Sequence, residues 1–415
     1  MAGEWSTLPI AHSRPGNSNK NCCKRDEVAN LWAEVITVND VIEGNSTRND
    51  DARNGSVYDV VVVGAGAGGL NAALVLARAR RRVAVVDAGE PRNAPATRVQ
   101  GFLSRDGMSP AALLEVGRAE VAGYGVDLIE GQVDHIDTGF LVQLTGGPVL
   151  KARRVLVATG LHDELPAIPG VRERWGKDLL HCPYCHGYEV RDRGLGVLGT
   201  GPGSVHHALL LRQWSDDVAL FAHTLDLSGE ERERLAARGV RVVDGTVKRL
   251  AVDEDRLRGV ELAEGRVVPR DAVFVAPRMV PRDGLLTGLG CERDMNGWVI
   301  TDRSGHTTVP GVWAVGNVAD PRALVVAAAG MGATAGFAVN HHLVDEETER
   351  AVKDRRATAS LAAPPLPPAS SRQGLSSGLV DTLGAPQGRA VRHPGSVAPV
   401  TMQADRKEDE STGKT

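Results

Sequence analysis

The sequence predicts an α/β protein built from two βαβ nucleotide-binding units, the second inserted into the first. Two glycine-rich turns and one cysteine pair carry this reading. The turns are Gly64-Ala65-Gly66-Ala67-Gly68-Gly69 and Gly199-Thr200-Gly201-Pro202-Gly203-Ser204. Each stands between an apolar run of strand length and a helical pattern. Between them lies Cys182-Pro183-Tyr184-Cys185, in a chain with only 5 cysteines. A dithiol between two nucleotide-type turns points to an enzyme that passes electrons between a dinucleotide cofactor and a disulfide.

Composition narrows the field. A length of 415 residues allows two domains with cores of their own. Hydrophobic content of 42% and 24% charged residues are ordinary for a globular chain. The formal charge of -4 gives no reason to expect nucleic acid or an anionic membrane as partner. No run of about 18 apolar residues predicts a transmembrane helix. Residues 1–16 lack the basic-then-apolar pattern of a secretory signal. So few cysteines do not make a disulfide framework, and the cytoplasm is the expected compartment.

Residues 1–56 are rich in Asn, Asp, Ser and Arg, without a sustained apolar period, and read as a disordered tail. Cys22-Cys23 within it reads as two incidental thiols. Asp59-Val60-Val61-Val62-Val63 is a strand buried on both faces, as parallel strands are. The first turn follows, then an Ala/Leu-rich helix over 70–80 and the strand Val83-Ala84-Val85-Val86, closed by Asp87. In this setting Gly64 permits the tight turn, Gly66 lets backbone approach a pyrophosphate, and Gly69 allows close helix–strand packing. The helix N-terminus faces the phosphates, and Asp87 stands where a carboxylate holds a ribose hydroxyl. This is a Rossmann-like dinucleotide fingerprint in full context.

A helix over 110–124, strands near 126–130, 132–137 and 140–144, and the strand Val155-Leu156-Val157-Ala158 come next, running into Thr159-Gly160. The second unit repeats the order with Leu195-Gly196-Val197-Leu198, the second turn, a helix over 204–214 and Val218-Ala219-Leu220-Phe221. Gly199 and Gly201 fit the fingerprint, and Ser204 is small enough for its third position. The strand after it ends at His223-Thr224, with no acid for a 2′-hydroxyl and no Arg for a 2′-phosphate. This second site, for NAD(P)H, is therefore left open between occupied and degenerate. Arg232 and Arg234 further on are expected to pair with neighbouring glutamates on a solvated helix face. Strand and turn follow at 312–317, then a long Ala-rich helix over 321–343. Residues 349–415, rich in Pro, Ala and Ser, read as a disordered tail.

The cysteine pair has three readings. Zinc would want a second Cys or His pair at suitable spacing. His181 and His186 flank the motif, and Cys291 is the remaining thiol of the ordered region. Two inert thiols are the bland reading. In the redox reading, one thiolate attacks a partner and the other meets the electron acceptor. His186, directly after Cys185, titrates near neutrality and suits transfer of the thiol proton, with a plain surface histidine as its alternative. The redox reading is adopted, with no metal.

Val60–Gly69, Ala158-Thr159-Gly160, Cys182–Cys185 and Pro310-Gly311-Val312-Trp313-Ala314-Val315-Gly316 resemble the low-molecular-weight thioredoxin reductases, in the same order. The resemblance implies FAD in a split domain, 57–164 and 278–348, with Thr159, Gly160, Gly316 and Asn317 added to its site. It implies a dithiol-bearing, pyridine-nucleotide-type domain over 165–277, Cys185 as the thiol nearest the flavin, and a homodimer. A thioredoxin-like protein or a small dithiol or disulfide is the implied partner. Several positions depart from the family pattern. His186 replaces an Asp, and Cys182-Pro183-Tyr184-Cys185-His186-Gly187-Tyr188-Glu189 is more similar to the dithiol oxidases of gliotoxin and holomycin biosynthesis, which pass electrons to oxygen. His223-Thr224-Leu225-Asp226 lacks the His-Arg-Arg run that holds the NADPH phosphate. Asn317 replaces an Asp, Ala323-Leu324 replaces Arg-Gln, and Ala276-Pro277-Arg278 replaces a glycine-containing turn. The expected function is FAD-dependent thiol–disulfide exchange. Oxygen-dependent dithiol oxidation and a non-enzymatic flavin/dithiol sensor are the alternatives.

Overall fold

A computed structural model describes residues 57–362. The tail expected over 1–56, with Cys22 and Cys23, and the part of the other tail beyond 362 lie outside the described residues.

The first sheet grows from the valine run. Strand β1 (Tyr58–Val63) turns into helix α1 (Ala67–Arg78) and returns as β2 (Val83–Asp87). Helix α2 (Pro110–Gly123) starts cleanly because the Ser109 hydroxyl accepts from the Ala112 N–H and Pro110 needs no donor partner. Strands β3 (Asp127–Glu130), β4 (Val133–Ile136), β5 (Leu141–Leu144) and β6 (Val149–Val157) follow. The strand order is β3-β2-β1-β6-β5-β4. β3, β2, β1 and β6 run parallel, β5 pairs antiparallel with β6, and β4 pairs antiparallel with β5. Alternate residues of β1 feed two cores. Val60 and Val62 pack with Leu70, Ala73 and Leu76 of α1, and Val61 and Val63 with Ala84, Val155 and Cys291.

The chain crosses to the second unit through β7 (Leu161–Glu164). Helix α3 (Val171–Arg174), strand β8 (Leu179–Leu180) and the short helix α4 (Pro183–His186) lead to β9 (Leu195–Leu198). Helix α5 (Gly203–Leu211), β10 (Val218–Phe221), α6 (Gly229–Ala237) and β11 (Val240–Val243) complete the repeat. The antiparallel strands β12 (Val247–Asp253), β13 (Arg256–Leu262) and β14 (Val267–Pro269) precede β15 (Ala272–Phe274). The second sheet, order β11-β10-β9-β15-β8, is parallel throughout. The chain returns as β16 (Arg278–Pro281), which pairs antiparallel with β7. Helix α7 (Gly284–Gly288) and β17 (Val312–Ala314), parallel to β6, restore the first sheet. A 3₁₀ turn, Gly316–Val318, then leads to helix α8 (Val325–Ala362). The fold is the α/β class expected, two Rossmann-like units with the second inserted into the first.

Helix α8 corrects two expectations. It begins at Val325, and it runs past the boundary expected at 348. The stretch from Asp345 is charged and carries no apolar stripe, so periodicity misses it. It is held instead by ion pairs. Glu347 accepts from Arg81 and Arg153, both at 2.6 Å, and Glu346 from Arg154 at 2.7 Å, while Arg350 pairs with Glu346 one turn back. Among the described residues no helix is long and apolar enough to cross a membrane.

α8 packs on α1 with no room for a side chain. A methyl group on Gly332 would lie 2.0 Å from the Gly68 carbonyl oxygen, whereas one on Gly330 meets open space. Gly332→Ala should therefore cost roughly 1–3 kcal/mol by overpacking. Gly330→Ala should gain about 0.5–1 kcal/mol from helix propensity. Urea unfolding of both variants checks the opposite signs.

Candidate active site

One cavity of about 1240 Å³ is lined by both the first glycine turn and the cysteine pair. Ordinary small-molecule clefts occupy about 300–1,000 Å³, so this one suits a ligand as long as a dinucleotide.

The three glycines of the first turn do different things. Gly64 has φ +105°, and a Cβ there would lie 2.5 Å from the Ala158 carbonyl oxygen. A Cβ on Gly69 would lie 1.9 Å from the Gly64 oxygen. Both are demanded by the fold. A Cβ on Gly66 meets nothing within 4 Å and projects where the cavity needs space. The N-terminus of α1 carries no side-chain cap, which leaves its N–H groups for a ligand. The cradle thus fits the pyrophosphate of FAD.

Asp87 closes β2 on the cavity wall. Its Oδ1 accepts from the Ala65 N–H at 3.0 Å and its Oδ2 pairs with Arg118 at 2.6 Å. A carboxylate has about four acceptor sites, so capacity for a ribose hydroxyl remains. Thr159 donates its hydroxyl to the Arg282 oxygen at 2.7 Å, and the Gly160 oxygen accepts from the Arg282 N–H at 2.9 Å. These contacts tie the two crossings together. Gly316 has φ +72°. Asn317 lines the cavity, but its amide is engaged by the chain itself. Nδ2 shares its two N–H groups among the carbonyls of Asp320, Pro321 and Ala323, and Oδ1 accepts from Arg92 at 3.2 Å. Arg92 is also gripped by Asp163 through two hydrogen bonds of 2.8 Å. Arg92, Asp163 and Arg118 were not foreseen from sequence, because their partners come from distant segments.

Cys182 and Cys185 form a disulfide, with Cα atoms 5.2 Å apart. Cys182 caps the short helix α4, and its Sγ accepts from the Cys185 N–H at 3.2 Å. The pair is therefore bonded to itself rather than disposed as metal ligands. Cys291 is buried in the first sheet's core, with Sγ 3.4 Å from the Thr307 hydroxyl. His186 lines the cavity beside the disulfide. Burial pushes its imidazole below the usual range, against the pull of Glu189. His181 behaves likewise through burial, with Nδ1 3.2 Å from the Val275 oxygen. His207 lies edge-on to His181 at 6.3 Å and to Phe274 at 5.7 Å. Burial pushes His207 down to about 4. The disulfide therefore sits among neutral imidazoles at pH 7. The only hint of His207 in the sequence was the His206-His207 pair after the second glycine turn.

The second turn keeps the same packing logic. A Cβ on Gly199 would lie 2.5 Å from both the Phe221 and Ala222 oxygens, and Gly201 faces open space. Ser204 is fully buried and donates to the Leu198 oxygen at 3.2 Å. The strand end, however, carries no Arg to meet a phosphate. His223 is left-handed, φ +50°, and its Nδ1 accepts from the Val247 N–H at 3.0 Å. A nitrogen that accepts carries no proton, and burial lowers the ring's pKa further. Arg232 pairs with Asp244 at 2.7 Å, not with helix glutamates as expected, because the end of β11 brings that carboxylate alongside.

The sequence profile of the pyridine nucleotide-disulphide oxidoreductase family matches residues 58–332. The chain belongs to this family. It is an FAD-dependent oxidoreductase acting on sulfur groups, of the thioredoxin reductase type. The crystal structure of HlmI is 66% identical, with a TM-score of 0.72, over 76% of this chain and 100% of its own. An oxidoreductase from Agrobacterium tumefaciens is 36% identical, TM-score 0.66, over 70% of this chain and 99% of its own. Thioredoxin reductase sirT of Leptosphaeria maculans is 30% identical over 310 residues, 69% of this chain and 94% of that protein.

Gly66→Val should abolish FAD retention and leave the apoprotein's melting temperature nearly unchanged, because the new side chain fills cavity rather than core. Absorbance of the purified variant and calorimetry of its apo form measure the two separately. His207 predicts a pH effect. Its folded pKa of about 4 lies below the ordinary 6.5, so the unfolded chain takes the proton first. The stabilisation is complete above pH 6.5 and is lost as pH falls toward 4, by roughly 3 kcal/mol. His207→Gln should flatten the stability profile across that window.

Proposed function

We propose that this enzyme is a dithiol oxidase, in which a substrate dithiol delivers its electrons to the Cys182–Cys185 disulfide. The observation that carries the reading is the disulfide in the wall of the same cavity as the Gly64–Gly69 cradle. In this reading residues 57–164 and 278–348 hold FAD. Gly64, Gly66 and Gly69 admit its pyrophosphate, Asp87 accepts from its ribose, and Thr159, Gly160, Gly316 and Asn317 shape the rest. Residues 165–277 carry the dithiol. A homodimer is part of the proposal on the strength of the family resemblance, and a cytoplasmic location on the low cysteine count.

The exchange needs two thiol attacks. A substrate thiolate bonds to Cys182 Sγ, the Cys182–Cys185 bond breaks, and Cys185 leaves as the thiolate. The second substrate thiol then attacks the mixed disulfide and releases Cys182. The substrate leaves as a disulfide, and its electron pair stays in the two reduced cysteines. His186, neutral in its buried setting, accepts a thiol proton in this sequence. The chemistry FAD supplies when bound is two-electron acceptance from the dithiol and discharge to oxygen. Cys185 is the thiol assigned to face it.

The second reading is reduction of a thioredoxin-like protein by NAD(P)H, favoured by the reductase names of several relatives. Against NADPH stands the strand end at His223. A 2′-phosphate wants cationic, bidentate partners. Losing two charge-assisted hydrogen bonds of about 1.5–3 kcal/mol each weakens binding by roughly two orders of magnitude or more.

Anaerobic reduction of the flavin by dithiothreitol, NADPH and NADH, each in turn, tests the choice. The dithiol should bleach the flavin rapidly, and Cys182→Ser/Cys185→Ser should abolish this while keeping FAD bound. Rapid, saturable reduction by micromolar NADPH would overturn the oxidase reading in favour of the reductase.

A further inference from the structure

The chain between β2 and α2, residues 88–109, carries no helix or strand. An irregular stretch of this length inside a packed unit usually has a task. It leaves Asp87 on the cavity wall and then meets the inserted unit at two places. The first is Pro95. Gly176, at φ +79°, packs so closely on it that a Cβ there would lie 2.8 Å from both the Pro95 Cβ and the Pro95 carbonyl oxygen. The second is Gln100, whose Nε2 donates to Glu189 Oε1 at 3.0 Å. Gly176 and Glu189 bracket the disulfide along the chain.

Each side of that hydrogen bond is held by its own surroundings. Val99 is buried, and backbone bonds join it to the far side of its loop. Its N–H donates to the Met108 oxygen at 2.7 Å, and the Gly107 N–H donates to the Val99 oxygen at 2.8 Å. Inside the loop, the Gly101 N–H donates to Asp106 Oδ1 at 2.7 Å and the Arg105 N–H to the Phe102 oxygen at 2.8 Å. Residues 99–108 therefore form a compact loop with joined ends, and Gln100 stands at its base. Glu189 lies just beyond helix α4. The Gly187 N–H donates to the Pro183 oxygen at 2.7 Å, and a Cβ on Gly187 would lie 2.8 Å from the Trp214 ring. Arg191 donates to the Tyr188 oxygen at 2.6 Å and lies 3.9 Å over the Tyr188 ring. The segment from the disulfide to Glu189 is thus a braced arm.

Neither Gln100 nor Glu189 lines the cavity that holds the disulfide. Glu189 still reaches the site through its charge, since it pulls the His186 pKa up against burial. Gln100 carries no charge, so placement is what it can supply. Placement matters steeply, because a displacement of about 1 Å between reacting groups can cost on the order of 100-fold in rate.

We propose that Gln100 is a positioning residue, which reaches out of the cofactor-binding unit to Glu189 and keeps Cys182–Cys185 seated in the wall of the FAD cavity. The inference rests on the reading that this disulfide and bound FAD exchange electrons. The ribbon of β7 and β16 joins the inserted unit to the first along one edge, and the Pro95 and Gln100 contacts fix it on either side of the disulfide.

The test compares the full chain, loaded with FAD, with Gln100→Ala, Gln100→Glu and the reciprocal swap Gln100→Glu/Glu189→Gln. Gln100→Glu sets carboxylate against carboxylate, whereas the swap restores one donor and one acceptor with their sides exchanged. Anaerobic bleaching of the flavin by dithiothreitol is followed to saturation, where the limiting rate reports transfer within the protein. That rate should fall roughly threefold or more in Gln100→Ala and roughly tenfold or more in Gln100→Glu, and return to within about twofold of the parent in the swap. FAD content and melting temperature should stay at the parent's values. Hydrogen exchange of the loaded proteins, which needs no dithiol, should be faster over 99–108 and 183–190 in Gln100→Glu and restored in the swap. A swap as slow as Gln100→Glu overturns the proposal, and so do parent-like rates in all three variants. A parent that dithiothreitol does not bleach sinks the oxidase reading instead. The exchange measurement then decides the role of Gln100, and exchange unchanged in Gln100→Glu overturns it.

Discussion

The active site depends on the hydrogen-bonded pairing of the two crossings between the sheets. β7 carries the chain out and β16 brings it back, with Glu164 opposite Arg278 and Leu161 opposite Pro281. Ala158-Thr159-Gly160 ends the first crossing against the glycine turn, and Arg282 ends the second against Gly160. The inserted unit is thereby held by a two-stranded ribbon rooted beside the cofactor cradle. Asp163 in β7 extends that root through Arg92 to Asn317. The disulfide-bearing helix α4 is too short to find its own place, and β8, paired with β15, sets where it starts.

The surroundings of the disulfide then follow from packing. α5 lies against β9 and β10, and brings His207 under His181 in a core of Phe274, Leu195 and Leu211. An apolar shell of this kind disfavours imidazolium, so the rings of His181, His186 and His207 are kept neutral. The same shell closes the far end of β10 differently. There the left-handed His223 spends its nitrogen on the Val247 amide, where a phosphate-binding fold would present cations.

What was legible in the sequence is what is local. The valine run of β1, the glycine turn, Asp87 and the Ser109-Pro110 helix start each announce themselves within a few residues. So does the cysteine pair with His186. What was not legible is built from distant partners. Arg92 meets Asp163 and Asn317, which lie 71 and 225 residues away. The charged half of α8 is helical because Arg81, Arg153 and Arg154 reach it across the sheet. No period of 3.6 announces that. The substitution of Asn317 for an acid looked like a modest change in a cofactor contact. It also makes a local brace, since the two N–H groups of one amide are shared among three carbonyls while its oxygen meets a guanidinium.

The β7–β16 ribbon also has a kinetic meaning. Two strands bonded edge to edge resist stretching. The dithiol stays tethered beside the cradle, in the wall of the same cavity. Its encounter with the flavin is an intramolecular event, with an effective concentration set by ribbon length and indifferent to dilution of the protein.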